Sequence, residues 1–254
     1  MANEVIVDDH VGVRVITINR PEARNAINLD TAIALREAML DLDARDDLAV
    51  GVLTGAGGGF SAGMDLKAFG RGEIPTLSPG GFGGFTEAPP AKPLIAAVEG
   101  FALAGGFELV LACDLIVAAE DSRFGLPEVS RGLVAAAGGL LRLPQRLPRN
   151  VAMEMALTAE PLSARRAFDL GLVNRLAAKS EALAVALQLA EAIRIHAPMA
   201  LATSKRIVVE SADWPSDQAF DRQRSFVAAI EGSADAREGA LAFVEKRAPR
   251  WTGR

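Results

Sequence analysis

The stretch GFALAGGFELVLACDLIVAAEDSRFGLPEVSRGL, residues 100–133, holds two glutamates in the most apolar third of the chain. Glu108 follows a Gly-Gly pair and Glu128 follows a proline, so both lie at turns. A carboxylate in so apolar a run is costly to bury unless it is partnered, neutralised or used in chemistry. Because one short strand separates the two turns, the chain returns to the same region. The stretch therefore predicts a candidate general acid/base pair.

The surrounding pattern is typical of an α/β fold. Short apolar or β-branched runs predict strands at 13–19, 50–54, 95–98 and 115–118. Apolar residues at helical spacing predict a helix at 29–45. Short strands that alternate with helices predict a core with crossover connections.

Two later segments of the chain have a different character. Residues 70–93 are rich in Gly and Pro, which is typical of a mobile or functional loop. Beyond Pro144 the pattern predicts helix after helix. We expect helix caps or first turns at Ser163, Ser180, Pro198, Ser216 and Ser233.

Composition excludes several classes of protein. The chain has 254 residues, half of them apolar, which is enough for one compact domain with an appendage. Its 27 basic and 32 acidic residues give a net charge of −5, which argues against nucleic-acid binding. Cys113 is the single cysteine, so no internal disulfide can form, and its apolar neighbours predict a core position. His10 and His196 lie far apart, so no metal site is predicted.

The sequence also argues against a membrane protein. The opening MANEVIVDDH includes acids and no long apolar run, so no signal peptide is predicted. The best candidate for a span, residues 101–119, contains Glu108, Asp114 and a Gly-Gly pair. Each acid would cost about 2.5–3.5 kcal/mol at a helix centre. We therefore expect a soluble protein of the cytoplasm.

Two glycine turns supply candidate donors for an oxyanion. Residues 58–66 (GGFSAGMDL) fit neither Gly-x-Gly-x-x-Gly nor Gly-Lys-Ser/Thr, which excludes the common nucleotide-binding loops. Residues 104–108 (AGGFE) open a helix, whose first N–H groups have no partner inside the helix. One N–H from each turn would together hold a developing negative charge.

Each of these features also has a purely structural interpretation. Residues 58–66 fit an ordinary strand-to-helix turn. Glu108 would serve equally as a first-turn charge at its own helix N-terminus. Glu128 would serve equally as a solvated residue just past the Leu126-Pro127 junction. Taken singly, the motifs leave both interpretations open.

Six motifs in order resemble those of the crotonase (enoyl-CoA hydratase/isomerase) superfamily. They are NRPEARNAIN at 19–28, LTGAGGGFSAGMDL at 53–66, ALAGGFEL at 102–109, CDLIVAAEDSRFGLPEV at 113–129, GLVNRL at 171–176 and AFVEKRAPRW at 242–251. A single motif is modest evidence, but the ordered set covers essentially the whole chain. The resemblance implies a superhelical ββα spiral as catalytic core, residues 1–197. It also implies a C-terminal helical region for trimerisation, residues 198–254, and assembly as trimers or pairs of trimers.

The resemblance implies an enoyl-CoA hydratase, a hydro-lyase that adds water to a trans-2-enoyl-CoA thioester. Glu108 would help to take the proton of the water, and Glu128 would protonate the α-carbon. The N–H groups of Met64 and Gly105 would form the oxyanion hole for the thioester carbonyl. No separate cofactor is implied, because coenzyme A is part of the substrate.

Other positions match the family's coenzyme A groove. Those in the N-terminal motifs are Ala23, Arg24, Ala62, Asp65, Leu66 and Lys67. Phe243 and Lys246 match C-terminal positions that reach a coenzyme A, in many members across a subunit boundary. The lysines would supply local positive charge for phosphates on an acidic protein. Plain surface solubility is the alternative for the basic residues.

The chain departs from the family pattern after Gly132. Ala135 and Ala136 stand where the family usually has Pro and Gly, and GGLLRL at 138–143 replaces the usual Gly-Gly-Thr-Gln-Arg-Leu. This variant, with the ending EKRAPRWTGR, resembles the carnitinyl-CoA (crotonobetainyl-CoA) hydratase branch more than the fatty-acid β-oxidation branch. The alternative functions are a Δ3-Δ2 enoyl-CoA isomerase, a carnitinyl-CoA dehydratase and a non-catalytic acyl-CoA-binding protein.

Overall fold

Eleven strands are present in the part of the chain that the structure, a computed structural model, describes, residues 4–254. In chain order they are β1 (Val5–His10), β2 (Gly12–Ile18), β3 (Leu48–Gly55), β4 (Thr76–Leu77), β5 (Gly81–Phe82), β6 (Leu94–Val98), β7 (Phe101–Leu103), β8 (Leu115–Ala119), β9 (Arg123–Gly125), β10 (Leu162–Ser163) and β11 (Arg175–Ala177). The longer ones are rich in Val, Ile and Leu, whose side chains pack well on a pleated surface.

Helices connect the strands and form the C-terminal region. In chain order they are α1 (Leu29–Ala44), α2 (Leu66–Phe69), α3 (Gly105–Ala112), α4 (Gly139–Arg146), α5 (Arg149–Thr158), α6 (Ala164–Asp169), α7 (Ala182–Arg194), α8 (Pro198–Glu210), α9 (Ala219–Glu231) and α10 (Ala234–Glu245). Short 3-10 helices lie at Pro21–Ala23, Glu128–Arg131 and Ser211–Asp213.

A six-stranded sheet in the order β1-β2-β3-β6-β8-β11 forms the centre of the fold. β1 and β2 are antiparallel, whereas each later pair is parallel. Parallel neighbours require crossover connections, and here those connections are the helices and the smaller sheets. The mixed α/β architecture agrees with the alternation of strands and helices in the sequence.

Both faces of this sheet are buried, because alternate residues of each strand point to opposite sides. On β3, Leu53 belongs to the larger apolar core, whereas Val50 and Val52 belong to a second one. The helix α7 covers the second core with Ala182, Ala186 and Ala190, all of them fully buried. These small side chains at i, i+4 and i+8 let α7 lie close to the strands.

A second, three-stranded sheet brings the two glutamate turns together. β7 and β9 are parallel and in register, with Leu103 opposite Gly125. α3 starts directly after β7, and the Pro127-Glu128 turn follows β9. Both glutamate turns therefore lie at the same end of this three-stranded sheet. The N–H of Ala104 donates to the carbonyl of Gly125 at 2.9 Å, which joins the two exits.

The structure confirms most of the predicted elements and corrects some boundaries. The predicted strands correspond to β2, β3, β6 and β8, and the predicted helix at 29–45 is α1. Ser163 and Ser233 cap α6 and α10, and Pro198 begins α8. Two predicted caps are wrong: Ser180 lies before α7 with φ +69°, and Ser216 lies in the turn before α9.

The segment at 70–93 is not without structure. It contains the short hairpin of β4 and β5, and it buries the rings of Phe82 and Phe85. Cys113 lies in the core as predicted, fully buried. In residues 4–254, no helix is long and apolar enough to cross a membrane.

Candidate active site

Glu108 lies in the first turn of α3 and is 3% exposed. Its Oε1 accepts hydrogen bonds from the N–H groups of Ala137 at 2.7 Å and Gly139 at 2.8 Å. These donors lie at the start of α4. The carboxylate is therefore hydrogen-bonded by the N-terminal end of α4 and not by its own helix, α3. Burial raises the pKa of Glu108, whereas the two N–H groups and the positive charge of Arg142 oppose that rise. The hydrogen-bonded carboxylate is therefore the better placed of the two glutamates to stay ionised.

Glu128 has a different environment. It begins the 3-10 helix Glu128–Arg131 and is 9% exposed, so its interpretation as a solvated turn residue is wrong. Its Oε2 is buried and has no hydrogen-bond partner in residues 4–254. Burial, and to a smaller extent the negative charge of Glu108, raises the pKa of Glu128 to about 7. A carboxyl group with this pKa holds a proton in a large fraction of molecules near neutral pH.

Both glutamates line one cavity of about 440 Å³. Two neighbouring carboxyl groups with unequal surroundings favour one protonated and one ionised form. Much of the rest of the wall is apolar, and it includes Phe69, Phe82, Leu103, Leu133, Val134 and Ala136. A cavity of this size with a few convergent polar groups is typical of a site for a small organic group.

Met64 and Gly105 line the same cavity. Met64 lies between two residues that form hydrogen bonds with Ile27. The carbonyl of Gly63 accepts from the N–H of Ile27, and the N–H of Asp65 donates to the carbonyl of Ile27. In extended backbone the intervening Met64 N–H therefore points the opposite way. Gly105 is the first residue of α3, where a helix N–H has no intrahelical acceptor.

The two candidate donors come from turns in close contact. A Cβ built on Gly63 would lie 2.8 Å from the Cβ of Ala104 and 2.9 Å from the N of Gly105, so glycine is needed at position 63. Ala104 has φ +51° and ψ −132°, a conformation that costs energy for a residue with a side chain. The bond from its N–H to Gly125 holds this conformation, which in turn sets the direction of the Gly105 N–H.

Comparisons with known proteins identify the family of this chain. The model of the Enoyl-CoA hydratase/isomerase family matches residues 8–254. The chain belongs to this family. A carnitinyl-CoA dehydratase from Salmonella typhi is 44% identical over an alignment of 247 residues, and the match covers 94% of each chain. The predicted family and the predicted class of enzyme, a hydro-lyase, are thereby confirmed.

Solved structures show the same fold. An enoyl-CoA hydratase from Mycobacterium tuberculosis H37Rv superposes with a TM-score of 0.97 at 55% identity, over 99% of both chains. A carnitinyl-CoA hydratase from Mycobacterium avium superposes with a TM-score of 0.79 at 40% identity, over the full length of both. The predicted crotonase-like fold is confirmed. The trimer and the division at residue 197 stay predictions.

Half of the six N-terminal positions predicted for the coenzyme A groove line the cavity: Arg24, Ala62 and Leu66. The N–H of Ala62 donates to the carbonyl of Arg24 at 3.0 Å, so the two motifs form one wall. The guanidinium of Arg24 lies 4.6 Å from the ring centre of Phe101. This contact holds a cation at the cavity wall.

The other predicted groove residues lie outside the cavity wall of this enoyl-CoA hydratase/isomerase family member. Ala23 ends the 3-10 helix Pro21–Ala23, and Lys67 lies on α2. The Asp65 carboxylate caps α2 through the N–H groups of Lys67 and Ala68, and it pairs with Arg20 at 3.0 Å. These contacts account for Asp65 without a ligand.

The two C-terminal positions also lie away from the cavity of their own chain. Phe243, on α10, is 86% exposed, and Lys246 ends that helix in a left-handed conformation.

Sequence reasoning missed the donors that hold Glu108. The Gly138-Gly139 pair, which matches the family's Gly-Gly, is assigned no role by the sequence, although glycines at the start of an apolar helix signal free N–H groups. The ring of Phe82 was also missed, because it belongs to a segment without periodicity. Among residues 4–254, no cluster of three or more His, Cys, Asp or Glu could hold a metal ion.

Proposed function

We propose that this cavity catalyses the reversible addition of water to the double bond of a trans-2-enoyl-CoA thioester. The observation that carries the proposal is the pair of buried carboxyl groups, Glu108 and Glu128, in one cavity. Their surroundings differ, since one accepts two backbone N–H bonds and the other has a buried oxygen without a partner. That difference matches an ionised base beside a protonated acid.

The proposed reaction assigns one proton transfer to each group. The oxygen of water bonds to the β-carbon while Glu108 accepts one of its protons. The electron pair of the alkene moves into the thioester, which becomes an enolate. The α-carbon then takes the proton of Glu128, and the electrons return to the thioester carbonyl. Proton exchange with solvent restores both glutamates, so water is the only net addition.

The enolate oxygen needs donors that are already in place. In the proposal the N–H groups of Met64 and Gly105 supply them, since both residues line the cavity and neither N–H donates to a backbone carbonyl in residues 4–254. Loss of one such donor typically costs about 10²–10³ in rate. The strained Ala104 is consistent with a backbone held in place for this purpose.

The coenzyme A portion would lie along the cavity wall at Arg24, Ala62 and Leu66 and continue outside the cavity past Ala23, Asp65 and Lys67. We further propose that Phe243 and Lys246 serve the site of a neighbouring subunit in a homotrimer or a dimer of trimers, since they lie away from the cavity of their own chain. Coenzyme A enters as part of the substrate, and the proposed chemistry uses no other cofactor. The cytoplasmic location stays a prediction.

A carnitinyl-CoA substrate is the second candidate. Carnitinyl-CoA dehydratases are 44% identical to this chain over nearly the whole length. Dehydration of such a substrate is the same two-carboxyl reaction in reverse on a charged acyl group. An isomerase is a weaker candidate, because moving a double bond needs one acid/base group and the cavity holds two.

Hydration is tested by following the loss of enoyl-thioester absorbance. The panel includes crotonyl-CoA, longer and branched trans-2-enoyl-CoA thioesters, and crotonobetainyl-CoA. Turnover of at least one of them with the 3-hydroxyacyl-CoA as product supports the proposal, and the preferred thioester decides between the two acyl classes. Tight binding of coenzyme A without turnover of any thioester would overturn it in favour of a binding protein.

A further inference from the structure

Arg142, on α4, touches two separate walls of the cavity region without lining the cavity itself. Its Nη2 donates to the carbonyl of Thr86 at 2.5 Å, and its Nη1 makes a longer contact of 3.5 Å with the carbonyl of Ala137. Its backbone N–H donates to the carbonyl of Gly138 at 2.9 Å. One half-buried side chain thus joins the end of the segment at 70–93 to the start of α4.

The first wall is the loop that partners Glu108. Ala137, whose carbonyl faces the guanidinium, donates its own N–H to the Oε1 of Glu108. Gly138 has φ +98°, and a Cβ on it would overlap the Nη1 of Arg142. The guanidinium therefore packs directly on the backbone between the two donors of Glu108, which limits how far that loop can move.

The second wall carries the ring beside the candidate oxyanion donor. The N–H of Thr86 donates to the carbonyl of Phe82 at 3.4 Å, which closes one turn of chain. A Cβ on Gly105 would lie 2.5 Å from the ring of Phe82, so this ring lies directly against Gly105. Holding the Thr86 carbonyl therefore also holds the ring that borders Gly105.

We infer that Arg142 is a positioning residue: its guanidinium holds the Ala137–Gly139 loop and the Phe82–Thr86 turn in the arrangement that orients Glu108. The planar guanidinium suits this role because its fork of donors reaches two carbonyls at once. The inference rests on the proposed hydration, in which Glu108 accepts a proton from water.

The positive charge of Arg142 also supports the role of Glu108 as a base. It favours the ionised form of Glu108 and so lowers its pKa, against the effect of burial. The other charged groups around Glu108 are Glu128, which disfavours a second negative charge, and Arg24, Glu87 and Arg131 along the cavity wall.

Arg146 provides a matched control. It lies one turn further along α4, is also half-buried, and shares with Arg142 the lining of a second cavity of about 990 Å³. Its Nη2 donates to the carbonyl of Cys113 at 2.8 Å, on the far side from the loop that holds Glu108. Its removal tests the loss of a half-buried arginine from α4 without loss of the two wall contacts.

The experiment compares Arg142→Met, Arg142→Lys and Arg146→Met with the unsubstituted protein on its best enoyl-CoA. For Arg142→Met we expect kcat to fall by about 10–10²-fold, as for a misplaced catalytic group, with little change in KM. Arg142→Lys should recover only part of kcat, because an ammonium cannot reach both carbonyls. Arg146→Met should keep kcat within about threefold. Equal kcat values for Arg142→Met and Arg146→Met, or full activity of Arg142→Lys, would overturn the inference.

A second readout does not depend on turnover. The protein is labelled with ¹³C at the glutamate carboxyl carbons, and the Glu108 signal is assigned by its absence from Glu108→Gln. We expect the pKa of Glu108 to rise in Arg142→Met and to stay unchanged in Arg146→Met. An unchanged pKa in both variants would overturn the role of Arg142. If the unsubstituted protein hydrates no thioester, the proposed function fails, and this titration still decides the role of Arg142.

Discussion

Gly139 lies directly against Glu108: its N–H donates to Oε1 at 2.8 Å, and a Cβ added to it would lie 3.0 Å from that oxygen and from Cγ. The absence of a side chain at position 139 therefore lets the carboxyl group approach this N–H without steric conflict. The same added Cβ would lie 3.2 Å from Cδ2 of Leu126, so the space is closed on two sides. A side chain at position 139 would therefore press on the Glu108 carboxyl group that this N–H holds.

Gly139→Ala should displace the Glu108 carboxyl by a few tenths of an ångström. The backbone of residue 139 is in the ordinary helical region, so alanine itself is not strained there, and helix propensity favours it by up to about 1 kcal/mol. We therefore expect kcat to fall by about tenfold while Tm stays the same or rises. Steady-state kinetics and thermal unfolding check this.

The matched control is Gly232→Ala, at the end of α9. Its φ is −80°, and an added Cβ would meet only Ala228 O at an ordinary 3.7 Å. This variant should keep full activity. If Gly139→Ala were as active as Gly232→Ala, the contact between Gly139 and Glu108 would have no role in catalysis.

Glu108→Gln and Glu128→Gln should each lower kcat by at least about 10²-fold, the magnitude typical of a general acid or base. Binding of coenzyme A should stay nearly unchanged, because neither side chain belongs to the wall proposed for it. Kinetics on the best thioester and calorimetric titration with coenzyme A measure the two effects. Glu154→Gln, on the exposed side of α5, controls for the loss of a carboxylate. Near-normal turnover in either variant would remove that glutamate from the mechanism.

Glu128 should also make stability depend on pH in a defined window. Its pKa is raised to about 7 from an ordinary value of 4.5, so folding favours the protonated form. The full stability is therefore present below pH 4.5 and is lost as the pH rises through about 7. The Tm of Glu128→Gln minus that of the unsubstituted protein should grow across this window and then level off. A difference that stays constant from pH 4 to pH 8 would show an ordinary pKa for Glu128.

Much of this fold could be predicted from the sequence because the signals for its strands and helices are local. β3, β6 and β8 are short apolar runs between turn residues, and a buried strand needs nothing else. The two glutamates were equally visible, since a charge stands out in an apolar stretch. Their meeting in one cavity follows from the pairing of β7 with β9, which only the structure shows.

The features that could not be predicted from the sequence depend on contacts between residues far apart in the chain. The N–H of Gly139 meets Glu108 across 31 positions, so no local pattern encodes the bond. At α7, the Glu99 carboxylate accepts the N–H groups of Ser180 and Ala182 from about eighty positions away. This distant cap replaces the local one expected from Ser180, which is why that prediction was wrong.

Close approach of α7 to the central sheet gives a last prediction, on stability. Ala186 is fully buried between this helix and the strands, so Ala186→Leu must force extra carbons into a filled layer. Overpacking of this kind typically costs about 1–3 kcal/mol. Ala192→Leu, at an exposed position of the same helix, should change the free energy of unfolding by no more than about 0.5 kcal/mol. Urea unfolding measures the free energy of unfolding of both variants. Equal values would contradict the prediction, because they would mean that the layer between α7 and the sheet, lined by Ala182, Ala186 and Ala190, has space for a larger side chain.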